Sequence, residues 1–321
     1  MDRRSLLLAG GAMLAFPNIL RAESALPSTP IRVVVPYAAG GSTDITGRLV
    51  AKELAQLTGR NFFVENRAGG ATMIGTEAAA RAKPDGTTLL IGGTSMVISP
   101  ILTKSQFDPR KDMAPVGQIL EAPLLFVSNP SFGPKTIAEI IAEAKAKPGS
   151  LNISHPGAGS ANHIALELFT RMAGIEVTLV PFTGNAPSLS AVMGGHVQLA
   201  LDAVLSAGPL VAANQVRAIA VTGKERFPTL PDIPTVNESG LPGFDLSFWS
   251  CVMAPSQTPQ PMIDELNGAL RTMLTRPDIV HQLRTMGTEP NPGTPADLAA
   301  LIVAHRERME PVIRAANVRI D

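Results

Sequence analysis

Net charge is missing from this chain: 27 Lys and Arg balance 27 Asp and Glu, and charged residues are only 17% of 321. No basic patch or stripe is therefore available for nucleic acid or an anionic membrane. Aromatics are scarcer still, with one Trp and one Tyr, which excludes a stacking platform for bases. Cysteine occurs once, as Cys251, so no internal disulfide forms. Its setting, LSFWSCVMAP, reads as that of a buried, inert thiol rather than a nucleophile. The sequence has no GxxxxGK[ST] and no HExxH, and its five His are scattered, which argues against a P-loop and a catalytic zinc. Asp44 and Asn162 stand where a GxSxG elbow would need glycine. Gly157-x-Gly159 begins a dinucleotide fingerprint, but Asn162 takes the place of its third glycine. No catalytic residue, metal or cofactor is expected.

What the chain does have is length for two domains and a 45% apolar composition that argues against disorder. Its 28 Gly and 28 Pro follow no period and mark many tight loops. Residues 1–25, MDRRSLLLAGGAMLAFPNILRAESA, have the layout of an export signal: a basic start, an apolar run from Leu6 to Phe16, then small residues. The run is too short to span a bilayer. Arg3-Arg4 before Ser5 fits a twin-arginine signal, and ordinary secretory signals also begin this way. Cleavage is expected after Ala22 or Ala25. No Cys follows for lipid attachment, and no later segment approaches 18 uninterrupted apolar residues. A freely soluble, exported protein is expected.

Strands and helices alternate along the rest. Ile31 to Tyr37 is a β-branched run read as a buried strand, and Asp44 to Leu57 is an amphipathic helix ended by Gly59. Strand-like Asn61 to Glu65, helical Ile74 to Ala82 and strand-like Thr87 to Gly92 follow. The alternation resumes from Ile137 to Val221, and three helices from Pro261 to Ala315 close the chain. The pattern predicts an α/β fold with a mainly parallel sheet covered on both faces. Two long apolar segments interrupt it, Val116 to Ser128 and Leu246 to Ala254. As crossovers they would make residues 121–249 one lobe, inserted in another built from 26–120 and 250–321, with a cleft between. His281 and His305 read as solvated helix residues, and Trp249 as core.

The polar loops share one design. Gly40-Gly41-Ser42-Thr43-Asp44 leads from the first strand into a helix. Glycine allows close backbone approach, and the unpaired N–H groups of a helix start attract carboxylate or phosphate. The alternative is plain helix capping by Ser42, Thr43 or Asp44. His155-Pro156-Gly157-Ala158-Gly159-Ser160-Ala161-Asn162-His163 repeats the layout in the second lobe, so the two starts can clamp one anion. Gly92-Gly93-Thr94-Ser95 and Phe182-Thr183-Gly184-Asn185-Ala186 would add walls, since ligands of open α/β sheets sit at the carboxyl ends of strands. Asp202 ends another strand and reaches the cleft or caps the next turn. His163 meets the ligand or serves the helix start.

These segments carry a family resemblance. VVVPYAAGGSTDITGRLVAKEL, VENRAGGATMIGTEAAARAKPDGTTLLIG, HPGAGSANHIALELF and VPFTGNAPSLSAVMGGHVQLALD resemble the Bug/TctC family of periplasmic solute receptors. RAIAVTGKERFPTLPDIPTVNESGLPGF and WSCVMAPSQTP extend the likeness over the whole mature chain. The resemblance implies a type II periplasmic-binding-protein fold, two α/β lobes joined by a two-strand hinge, closing on a small organic carboxylate. It also implies a monomeric receptor that delivers the ligand to inner-membrane subunits of a tripartite tricarboxylate transporter. Ligand contacts are then expected at Tyr37, Ala38, Gly40, Gly41, Ser42, Thr43 and Asp44, and at Gly93, Thr94 and Ser95. Gly157, Gly159, Ser160, Asn162, His163, Phe182 and Asp202 complete the expected set. The chain departs from the family pattern at His155-Pro156, at Phe182, often Tyr, and at Ser250-Cys251, so the resemblance does not name the carboxylate. A secreted α/β enzyme and a sensor feeding a membrane kinase are the other readings.

Overall fold

The computed structural model describes residues 24–103 and 105–316. The expected export signal thus lies outside the described residues except for its last two positions, where Ser24 Oγ and the Ala25 N–H both donate to Glu265. The first unit begins with β1 (Ile31–Val35), buried as its β-branched run requires. It continues through α1 (Ser42–Thr58), β2 (Phe62–Asn66), α2 (Met73–Ala80) and β3 (Thr88–Gly93). Gly59 ends α1 in the left-handed conformation, φ 69°, where glycine costs nothing sterically. Then come α3 (Thr94–Thr103), the short α4 (Pro109–Asp112) and the long β4 (Met113–Ser128).

The second unit comprises α5 (Ile137–Ala146), β5 (Asn152–His155), α6 (Ala161–Ala173), β6 (Thr178–Pro181) and α7 (Asn185–Met193). It ends with β7 (Leu199–Ala203), α8 (Val204–Ala212) and β8 (Arg217–Val221). The chain finishes with β9 (Ser247–Pro255), α9 (Gln260–Thr275), α10 (Pro277–Thr285), β10 (Glu289–Pro290) and α11 (Pro295–Ala316). Helices α3 and α8 were not expected. Each carries an interior proline, Pro100 and Pro209, which reads in sequence as a breaker.

The sheet runs β2-β1-β3-β9-β4-β7-β5-β6, with β8 and β10 also on β4. It is mixed, not mainly parallel. β1 pairs in parallel with β2 and β3, and β5 with β6 and β7. The two long strands oppose each other, from Met113↔Pro255 to Pro123↔Ser247, and run antiparallel to their neighbours as well. β4 thereby serves both parallel sets: its first part pairs with β9, and Leu124–Ser128 pairs with β7. Helix alternation in sequence does not reveal this, because the two crossing strands are not themselves part of a βαβ unit.

Apolar residues collect in separate cores. Ile31, Val33, Leu54 and Ile91 pack with Leu266 and Leu270 of α9. Phe126, Ile153, Phe169 and Phe244 form a second core, with the Phe126 and Phe169 rings 4.9 Å apart. α11 reaches both sides: Leu298 and Ile302 pack with Trp249 and Cys251, while Met309 and Ile313 enter the second core. Trp249 is core as expected, and burial pushes the Cys251 thiol far up from its usual range, which keeps it inert.

His281 is exposed as expected, but His305 is buried at 4% exposure. Its helix face turns inward, where the ring meets Trp249 edge-on at 5.6 Å. Burial, aided by the charge of Arg308, pushes its pKa down to about 4. The unfolded chain then binds a proton between roughly pH 6.5 and 4 that the folded chain refuses, so this contribution to stability is present above pH 6.5 and falls away on acidification. Urea unfolding at about pH 7 and pH 5 should show a smaller acid loss for His305→Leu than for the wild type. Equal losses would refute the assignment.

Candidate functional site

A cavity of about 490 Å³ opens where the carboxyl ends of β1, β5 and β7 meet the crossing strands. Pro36 to Thr43 form one wall, with Ser95. Pro156 to Ala158, Ser160 to Asn162 and Phe182 to Pro187 form the other, while Leu124 of β4 and Phe248 of β9 join the two. Of the expected site residues, Tyr37, Ala38, Gly40, Gly41, Ser42, Thr43, Ser95, Gly157, Ser160, Asn162 and Phe182 line this space. None of the described residues lining it is charged.

Polarity comes instead from the backbone. Helices α1, α6 and α7 all begin at the cavity. Ser160 caps α6, its Oγ accepting the His163 N–H at 3.2 Å. Glycines occupy the cap positions of α1 and α7, Gly41 and Gly184, and no side chain caps either helix. Their first N–H groups and positive dipole ends are therefore directed at the cavity mouth. The two starts are near neighbours: a Cβ on Gly41 would stand 3.6 Å from Asn185 Oδ1. The start expected to oppose α1 was that of α6; the start shown beside α1 is that of α7. Tyr37 Oη donates to Ser95 Oγ at 2.7 Å, tying β1's loop to the start of α3.

Six expected residues lie behind this lining rather than in it. Asp44 is buried and accepts from the Gly40 N–H, Arg48 Nε and Asn66 Nδ2, each at 2.9 Å. Burial alone would raise its pKa, but these bonds outweigh it and hold the carboxyl below its ordinary range. Asp44 thus anchors the first loop. Gly93 packs on β9, where a Cβ would meet the Trp249 carbonyl oxygen at 2.3 Å. Thr94 Oγ1 accepts the Trp249 N–H at 3.1 Å. The Gly159 N–H donates to His163 Nδ1 at 3.1 Å, which occupies both residues.

Asp202 is wholly buried beneath α7. Its Oδ1 accepts from Asn185 Nδ2, Ser206 Oγ and the Ala203 N–H. Burial pushes its pKa up to about 7 against the pull of those donors. It reaches the cavity only through Asn185, whose amide it orients. Holding Nδ2 inward leaves the acceptor Oδ1 on the Gly41 side.

One lining segment escaped the sequence reading. Ala68, Gly69, Ala71 and Thr72, between β2 and α2, contribute to the first wall. Gly69-Gly70 after a strand and before a helix repeats the design of the other loops, and that signal was available. Its backbone is unusual: Ala71 and Thr72 adopt φ of 52° and 76°, a conformation that costs non-glycine residues energy and clusters at functional sites. Leu124 and Phe248 had no such signal, because apolar strand residues read as core.

Comparison with known proteins adds the following. The model of the tripartite tricarboxylate transporter family receptor, TctC, matches residues 46–318. Protein BugT of Bordetella pertussis is 30% identical over 325 residues, with 100% of each chain covered. The structure of R. palustris Rpa4515 with adipate superposes at a TM-score of 0.87 with 32% identity, covering 91% of this chain and 99% of that one. MatC (Rpa3494) from Rhodopseudomonas palustris with bound malate gives a TM-score of 0.84 and 32% identity, over 90% and 100% of the two chains. The α/β architecture is that of periplasmic binding proteins.

Proposed function

The chain belongs to the tripartite tricarboxylate transporter receptor family, and from that premise we propose that it is a periplasmic receptor for a small organic carboxylate, with no catalytic step. The observation that carries this reading is the cavity itself: uncapped starts of α1 and α7 face it, and no acidic side chain among the described residues lines it. Carboxylate oxygens accept from those N–H groups and from the hydroxyls of Ser42 and Thr43, while Leu124, Phe182 and Phe248 cover the carbon skeleton. Relatives solved with adipate and malate support the ligand class.

In this reading residues 26–120 with 250–321 form one lobe and 121–249 the other, and β4 and β9 are the hinge. A ligand that touches both walls favours the closed arrangement and shifts the population toward it. The family name points to the membrane subunits of a tripartite transporter as the partner that accepts the ligand. Among the described residues no helix is long and apolar enough to cross a membrane.

Thermal unfolding of the processed protein with a panel of mono-, di- and tricarboxylates tests the assignment, since a ligand that binds only the folded state raises the melting temperature. Adipate and malate belong in the panel. A rise of several degrees with at least one member is expected; no rise with any of them would remove the ligand class.

A further inference from the structure

The turn between β5 and α6 puts Gly157, Ala158 and Ser160 on the cavity wall, and two histidines hold it from behind. His155 is 2% exposed and His163 8%. Their rings stack with centroids 4.6 Å apart and planes 7° from parallel. Each ring grips one glycine of the turn. His155 Nδ1 lies 3.0 Å from the Gly157 carbonyl oxygen, and the Gly159 N–H donates to His163 Nδ1 at 3.1 Å. The two glycines adopt φ of 144° and 76°, positions where glycine is free to take many shapes, so the tethers select one of them.

His155 Nδ1 faces both polar groups of Gly157, 3.0 Å from its carbonyl oxygen and 3.4 Å from its amide nitrogen, so a neutral ring holds that residue in either tautomer. His163 must have a bare Nδ1 to accept from Gly159, and its proton sits on Nε2, 3.5 Å from Glu167 Oε1. Ser160 completes the arrangement, its Oγ donating to the Gly157 carbonyl at 2.7 Å while it caps α6.

We propose that His155 and His163 are positioning residues for ligand binding, a stacked pair that holds the Gly157–Ser160 turn in its binding shape only while both rings are neutral. A proton added to His163 Nδ1 turns the acceptor of the Gly159 N–H into a second donor, and the tether is lost. His155 stays neutral down to about pH 4, because burial and then the neighbouring His163 oppose its charge. Strands β5 and β6 and helices α3 and α7 bring no charged side chain to the pair. β7 brings only Asp202, which is held by Asn185 and Ser206. On α11, which packs on α6, Arg306 and Arg314 pair with Glu310, and Arg308 pairs with Asp245.

This inference rests on the carboxylate-receptor reading, and its test separates the two. Calorimetric titration with adipate and with malate is carried out at about pH 7.5 and pH 5.5. The wild type should lose more affinity on going to the lower pH than His163→Asn does. His163→Leu should lose about tenfold already at the higher pH, the size of one lost hydrogen bond. His163→Asn places an untitratable Oδ1 where Nδ1 was. It should rescue the affinity lost by His163→Leu and abolish the extra acid loss. Titration of the ligand itself affects both proteins equally, so the difference between wild type and His163→Asn is the readout. An identical acid loss in wild type and His163→Asn would overturn the positioning role while leaving the receptor intact. Absence of binding by either diacid to the wild type at the higher pH would overturn both. If His163→Leu does not fold, the comparison of wild type with His163→Asn still decides.

Discussion

Replacing Gly41 with leucine is expected to weaken carboxylate binding about 100-fold or more and to leave the fold intact. The backbone tolerates the change, because Gly41 lies at φ −84° and ψ 172°, an extended conformation open to any residue. A Cβ there meets nothing closer than Asn185 Oδ1 at 3.6 Å and the Ala38 carbonyl at 3.9 Å, so it does not strain the protein. The rest of the side chain, however, extends along the cavity wall at the start of α1, where the proposed function puts the ligand's oxygens. Calorimetry gives the affinity, and a thermal melt without ligand confirms that the fold is retained. Unchanged affinity in a folded variant would show that the ligand does not sit between these helix starts.

The second large effect falls on stability. Gly93→Ala should cost about 3 kcal/mol or more and lower the melting temperature by roughly 10 °C. A Cβ at Gly93 would stand 2.3 Å from the Trp249 carbonyl oxygen, and both groups are backbone in the paired strands β3 and β9. Neither can rotate away as a side chain could. Relief requires β3 and β9 to separate, which disturbs the packing of Met253 and Trp249 with the α11 residues Leu298 and Ile302. A melting temperature within a degree of the wild type would mean that the strands yield freely at this point. Gly41 and Gly93 thus look alike in sequence, each in a glycine-rich loop after a strand, and differ in what their missing side chains serve. One borders the cavity, the other a neighbouring strand.

That difference marks how far the sequence could be read. The strand–glycine–helix units announced themselves through β-branched runs and their loops, and they place β1 with α1, and β5 with α6, close to where they are found. The loops that line the cavity follow from the same pattern, because strand ends and helix starts must meet there. The mixed sheet was less visible. Val116 to Ser128 is legible as an extended apolar segment, but its antiparallel pairing with β9 depends on a partner more than a hundred residues away. Burial was the other blind spot. Asp44, Asp202 and His163 carry ligand-like chemistry, yet each turns to an internal partner: Gly40, Asn185 and Gly159. Sequence gives residue type, and only the fold decides whether a polar group faces the cavity or supports one that does. The same holds for His305, whose place on an apparently solvated helix hides a contact with Trp249.

Among the described residues no cationic side chain lines the cavity, and in the proposed function oriented backbone N–H groups select the anion instead. A matched comparison tests it most directly. The protein is titrated by calorimetry with adipate and with malate, and then with the corresponding neutral diamides, which keep the shape and lose the charge. Binding of at least one diacid, with its diamide weaker by about 100-fold or more, is the predicted result. A diamide that binds as tightly as its acid would contradict it.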